Sequence, residues 1–136
     1  MWVRAALVGL AGGILFGVIG WAPFIPDPLA FHTAALALIA GIYGGFAFAD
    51  GRIGIVLLEG AALTAFVVLA LLGLWVAPVF LGAGIALHGL WDLAHRPGGI
   101  STRLPRWYPA FCAIWDFVFA GIFFFHAHEI AVRAAH

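Results

Sequence analysis

Late in a long apolar run the chain reads His88-Gly-Leu-Trp91-Asp92-Leu-Ala-His95. On a helix, steps of four and then three residues bring His88, Asp92 and His95 onto one face. Imidazole and carboxylate groups can ligate a divalent metal or move a proton. Two further acids, Glu59 and Asp116, also lie inside apolar runs. Mixed imidazole and carboxylate donors suit zinc, iron or manganese better than copper(I). The expected ligands are His88, Asp92 and Asp116, with His95 as a fourth. Such a metal lowers the pKa of a bound water, and Glu59 or Asp92 is the acid expected to act in catalysis, Glu59 by taking the water's proton.

The elements that must position these groups are membrane spans. The 136 residues are 65% hydrophobic and 9% charged, with a mean hydropathy of +1.14. Soluble domains are about a quarter charged, so this chain cannot cover a water-facing surface. There is no lysine, and six arginines balance six acids. No basic tract suggests a nucleic-acid partner. Cys112 is the sole cysteine, which excludes an intrachain disulfide. The N-terminal apolar run is longer than a signal-peptide core and lacks a small-x-small cleavage pattern, so it reads as a retained first span.

Each span needs about 20 mainly apolar residues. The sequence predicts an all-α, polytopic membrane protein, a single domain over 1–136 with five transmembrane helices at about 3–21, 29–49, 53–74, 77–95 and 107–128. Gly9, Gly13 and Gly17 form a strip on the first helix that lets another helix approach closely, and Ala37, Gly41 and Gly45 form a second strip on the second helix. Pro23, Pro26 and Pro28, then Asp50-Gly51, then Arg96-Pro-Gly-Gly99 mark breaks. Five spans put Arg4, Arg52, Arg96, Arg103 and Arg106 on one side and Arg133 on the other. The positive-inside rule therefore places the N-terminus in the cytoplasm.

Depth brings the polar groups together. At about 1.5 Å per residue, Glu59, His88 and Asp116 each lie roughly 9–10 Å from the cytoplasmic ends of their helices. Asp92 and His95 lead outward from that level. No Arg or Lys in any span interior answers the three acids, and a mid-helix Asp costs about 2.5–3.5 kcal/mol on insertion scales. Protonation, cationic His88 and His95, or a bound metal must neutralise them. Asn and Gln are absent from the chain. The structural alternative is a His–Asp pair that bonds to itself and to nearby backbone.

Other groups read more plainly. His32 is expected at the outer interface, and His126, His128 and Glu129 as solvated interfacial residues or a peripheral metal site. Cys112, one turn before Asp116, reads as a packing residue. The arginine-bearing loop 96–107 anchors to anionic headgroups or captures an anionic lipid.

The segments His88-Gly-Leu-Trp91-Asp92-Leu-Ala-His95 and Cys112-Ala113-Ile114-Trp115-Asp116 resemble an uncharacterised bacterial family of small multi-span membrane proteins. That family carries a His–Trp–Asp–His segment followed by Cys-Ala-Ile-Cys-Asp; here Trp115 replaces the second cysteine. The resemblance covers about the last third of the chain. It supports the choice of site residues and implies no substrate, because the family has no established activity.

The functional expectation is a metal-dependent enzyme of the inner membrane, a hydrolase acting on a lipid or other apolar substrate near the cytoplasmic side. A non-catalytic subunit of a larger membrane complex or homo-oligomer, carrying a pigment or haem on a histidine, is the second reading. Proton or cation conduction through the acids is the third.

Overall fold

A computed structural model describes the backbone of residues 2–134 and the side chains of 3–128. The side chains of Glu129 and Arg133, which entered the charge and metal expectations, lie outside the described residues. Five helices follow in order: α1 (Trp2–Ile19), α2 (Pro28–Asp50), α3 (Ile53–Trp75), α4 (Pro78–Ala94) and α5 (Tyr108–Ala134). The described residues contain no strand. α2, α3 and α5 are long and apolar enough to cross a membrane; α1 and α4 are apolar but shorter.

Local chemistry sets the ends. Asp27 caps α2 by accepting a hydrogen bond from the Ala30 amide at 2.9 Å, and Pro28 occupies the first turn, where its missing N–H is not needed. Gly51 closes α2 in the left-handed conformation at φ 76°, a backbone state that disfavours a side chain. α5 runs past the expected end at residue 128 because no Gly or Pro follows Gly121 to break it.

α1 lies along α5, α2 pairs with α3, and α4 sits between α3 and α5 while also meeting α2. The backbone of α2 does not closely approach that of α1 or α5. Consecutive helices alternate in direction. Arg52 therefore reaches Ser101 and Tyr43 reaches Tyr108 at one end, while Trp21 meets His32 and His126 at the other. The core is apolar, with Leu36, Leu81, Ile85, Phe119 and Phe123 fully buried.

The α1 glycine strip is an internal seam. A Cβ at Gly9 would come 2.5 Å from the Phe111 carbonyl oxygen, and one at Gly13 would come 2.7 Å from that of Trp115. Both obstacles are backbone, so neither can swing aside. The α2 strip has no such partner: Gly41 and Gly45 face open space. Gly13→Val is expected to destabilise the fold by about 1–3 kcal/mol through overpacking. Gly41→Ala is expected to be neutral or to stabilise by up to about 1 kcal/mol through helix propensity. Unfolding of the two variants in mixed micelles checks this opposition of sign.

Candidate metal centre

α4 and α5 present the central group. One potential ligand atom from each of His88, Asp92 and Asp116 lies within 4.8 Å of the others, and all three residues are buried. The set can hold a metal ion. His88 Nδ1–H donates to Asp116 Oδ2 at 2.6 Å, and Asp92 Oδ2 lies 3.8 Å from the same nitrogen. Gly89, one residue after His88, allows the helices this proximity: a Cβ there would sit 3.1 Å from the Phe117 ring and 3.3 Å from Asp116 Cβ.

The group is under-satisfied. Both carboxylate oxygens of Asp92 and His88 Nε2 are buried without a hydrogen-bond partner. Unpaired buried polar atoms are rare, and each calls for an explanation. Tyr43, from α2, has its ring 5.7 Å from His88 and 4.5 Å from His95, and its buried hydroxyl is also without a partner. Two carboxylates thus share an apolar site with one imidazole and no guanidinium.

Glu59 and His95 form a separate, satisfied network. Glu59 Oε1 pairs with His95 Nε2 at 2.6 Å and accepts from the Thr102 hydroxyl at 2.5 Å. Glu59 Oε2 accepts from the Trp91 indole at 3.1 Å. His95 Nδ1–H donates to the Trp91 carbonyl at 2.9 Å. A carbonyl only accepts, so Nδ1 must carry the proton. Nε2 then either donates to a carboxylate as imidazolium or accepts from a protonated Glu59, and the pair is neutral overall in both forms.

Two of the expected site residues stand outside the His88–Asp92–Asp116 group. His95, the expected fourth ligand, has both ring nitrogens in hydrogen bonds. Glu59, the expected general base, bonds His95, Thr102 and the Trp91 indole.

His32, near the start of α2, is fully buried, stacked on Phe119 with ring centroids 5.2 Å apart, and its Nδ1–H donates to the Pro28 carbonyl at 2.6 Å. His126 stacks on Trp21, and His128 is exposed. Neither belongs to a ligand cluster among the described residues. Cys112 is a half-buried free thiol on the α5 wall.

Sequence reading missed Tyr43, Thr102 and the roles of the two tryptophans, Trp91 as a donor to Glu59 and Trp115 with a buried, unpartnered indole N–H. One signal was available. With Asn and Gln absent and only one Ser and three Thr present, each hydroxyl and indole is a scarce partner for a buried acid.

The loop between α4 and α5 is held in place. Arg52 Nε bonds Asp50 Oδ1 at 2.6 Å, and the Arg103 amide donates to Asp50 Oδ2 at 2.9 Å. This clamp seats Thr102 over Glu59. Thr102→Val should leave Glu59 one donor short and destabilise the protein by about 1–3 kcal/mol; thermal unfolding in detergent measures it. Arg96 and Arg106 line a depression of about 450 Å³ above His95, a site of the kind expected to meet anionic headgroups.

A cavity of about 230 Å³ opens between α2 and α5, and His88 and Asp116 lie on its lining. Phe16 and Phe31 meet at one end of it, 5.2 Å apart, and Phe46 and Tyr108 meet at the other, also 5.2 Å apart. Comparison with protein-family models, curated proteins and solved structures finds no match for this chain.

Proposed function

We propose that the chain is a multi-pass protein of a bacterial inner membrane. All five helices cross it, with the N-terminus in the cytoplasm, and His88, Asp92 and Asp116 hold a divalent zinc, iron or manganese ion for hydrolysis of a lipid or other apolar substrate. One observation carries this reading: Asp92 is fully buried, with neither carboxylate oxygen bonded, beside a second buried acid and no Arg or Lys. Leaving a buried charge uncompensated costs several kcal/mol, whereas a divalent cation would neutralise both carboxylates at once. The metal would supply Lewis acidity and an acidified water.

The chain's own groups then take distinct roles. Asp116 orients the His88 ring through Nδ1, as carboxylates orient metal-bound histidines elsewhere. The Tyr43 hydroxyl, buried and unpartnered on the cavity that His88 lines, can hydrogen-bond a substrate oxygen. The Glu59–His95 pair stores a proton at the cytoplasmic end. Arg4, Arg52, Arg96, Arg103 and Arg106 share that end of the bundle, which supports the orientation. Phe119, which stacks on His32, belongs to the same buried apolar core as Phe66, which packs against His88. Among the described residues no polar relay joins the two ends through that core, which favours the enzyme reading over conduction.

Metal analysis of the purified protein tests the proposal. About one divalent ion per chain is expected in the wild type and almost none in the His88→Ala, Asp116→Ala double variant. Equal, near-zero metal in both overturns it. Bound metal is also expected to leave as pH falls, because protons compete for imidazole and carboxylate ligands; a metal-release titration from neutral to acid pH reads this.

A further inference from the structure

The cavity between α2 and α5 is a lateral opening, and its chemistry restricts what can occupy it. The backbone of α2 stays apart from those of α1 and α5, and aromatic side chains bridge them on either side of the gap. Its walls are apolar, with Ala35, Leu38 and Ile39 from α2 opposite Phe111, Cys112 and Trp115 from α5. Leu38 and Ile42 at its edge are 66% and 39% exposed, on a surface whose neighbours are apolar throughout. A gap of this kind in a bilayer opens to lipid chains, because water gains nothing there. At its inner end are His88 and Asp116.

Among the described residues no Arg or Lys lines it. An anionic head drawn inside would face the Asp116 carboxylate without a guanidinium or ammonium counter-charge. If a divalent ion occupies the site, the two carboxylates already balance it, so a neutral head is favoured in either state. We infer that the cavity admits a single apolar chain from the bilayer ending in an uncharged oxygen function, such as a long-chain alcohol or ester, with that oxygen beside His88 and Asp116. This inference rests on the proposed site for its chemistry, while binding in the cavity stands or falls separately.

Photolabelling of the full chain in nanodiscs tests it, with a straight-chain alcohol bearing a mid-chain diazirine as probe. Crosslinks are expected to concentrate on the α2 segment around Leu38–Ile42 and the α5 segment around Phe111–Trp115. Excess unlabelled alcohol should suppress them at least fivefold, and an equal excess of the fatty acid should not. Ile39→Trp, which fills the opening, should reduce the labelling by a similar factor while leaving metal content unchanged. Labelling spread over Leu57, Val68 and Phe125 in proportion to exposure would overturn the inference, as would equal competition by the fatty acid. Metal content is measured on the same samples. Saturable labelling without metal therefore removes only the metal reading, and metal without saturable labelling removes only the cavity's occupant.

Discussion

Asp92→Asn is expected to weaken metal binding by at least about 100-fold and yet to make the metal-free protein more stable. The first effect follows because loss of even an outer partner of a metal ligand costs about 10–100-fold in affinity, and Asp92 is placed to touch the ion itself. The second follows because asparagine keeps the shape and removes a buried charge that no hydrogen bond answers among the described residues. Relief of such a charge is worth about 1–4 kcal/mol where a neutral side chain fits. Unfolding measured with a chelator and with saturating zinc separates the two. The wild type should gain about 2.7 kcal/mol at a hundred times its dissociation constant, and the variant should gain almost nothing while starting higher. A variant that is less stable in chelator would show that Asp92 is held by the protein and not by an ion.

Glu59→Leu carries the largest expected loss of stability. It strands the His95 ring, the Thr102 hydroxyl and the Trp91 indole together, and breaking one side of a buried charged pair costs about 3–5 kcal/mol. The loop over Glu59 should loosen with it, so trypsin should cut faster at the exposed Arg103 and Arg106. Adding His95→Leu to Glu59→Leu should cost less than the sum of the two single changes, by about 0.5–3 kcal/mol, since the second change removes a group the first left unpaired. Unfolding of the four proteins closes the cycle. Strict additivity would show that the two side chains act independently.

The contrast between these two acids explains what could be read from sequence. Hydropathy and turn residues placed the helices, because proline, glycine and Asp27 act locally. The spacing of His88 and Asp92 and the depth of Asp116 brought three groups together correctly, since α4 and α5 pack directly against one another. Glu59 also meets α4, but at Trp91 and His95 near its C-terminal end, with Thr102 of the following loop, and the level at which two helices meet depends on tertiary packing. Thr102 was out of reach for a different reason. Its position depends on the Asp50–Arg52–Arg103 clamp and on Gly98 at φ 91°, both features of folded loops. The two glycine strips looked equivalent as patterns, and only one of them has a helix lying on it.

The pairing of α1 with α5 bears on how the chain is made. α1 has α5, made well after it, as its principal backbone partner. α1 ends at Ile19 and α5 begins at Tyr108, roughly 90 residues later. At about 5–20 residues per second this leaves an interval on the order of 5–20 s in which the glycine seam of α1 lies open to lipid or to other nascent chains. The same helices could be wrongly matched between two chains during that interval, with α1 of one closing on α5 of another. Assembly of this protein is therefore expected to depend on whatever shelters α1, and slowing translation before residue 108 should lower its yield more than slowing it afterwards.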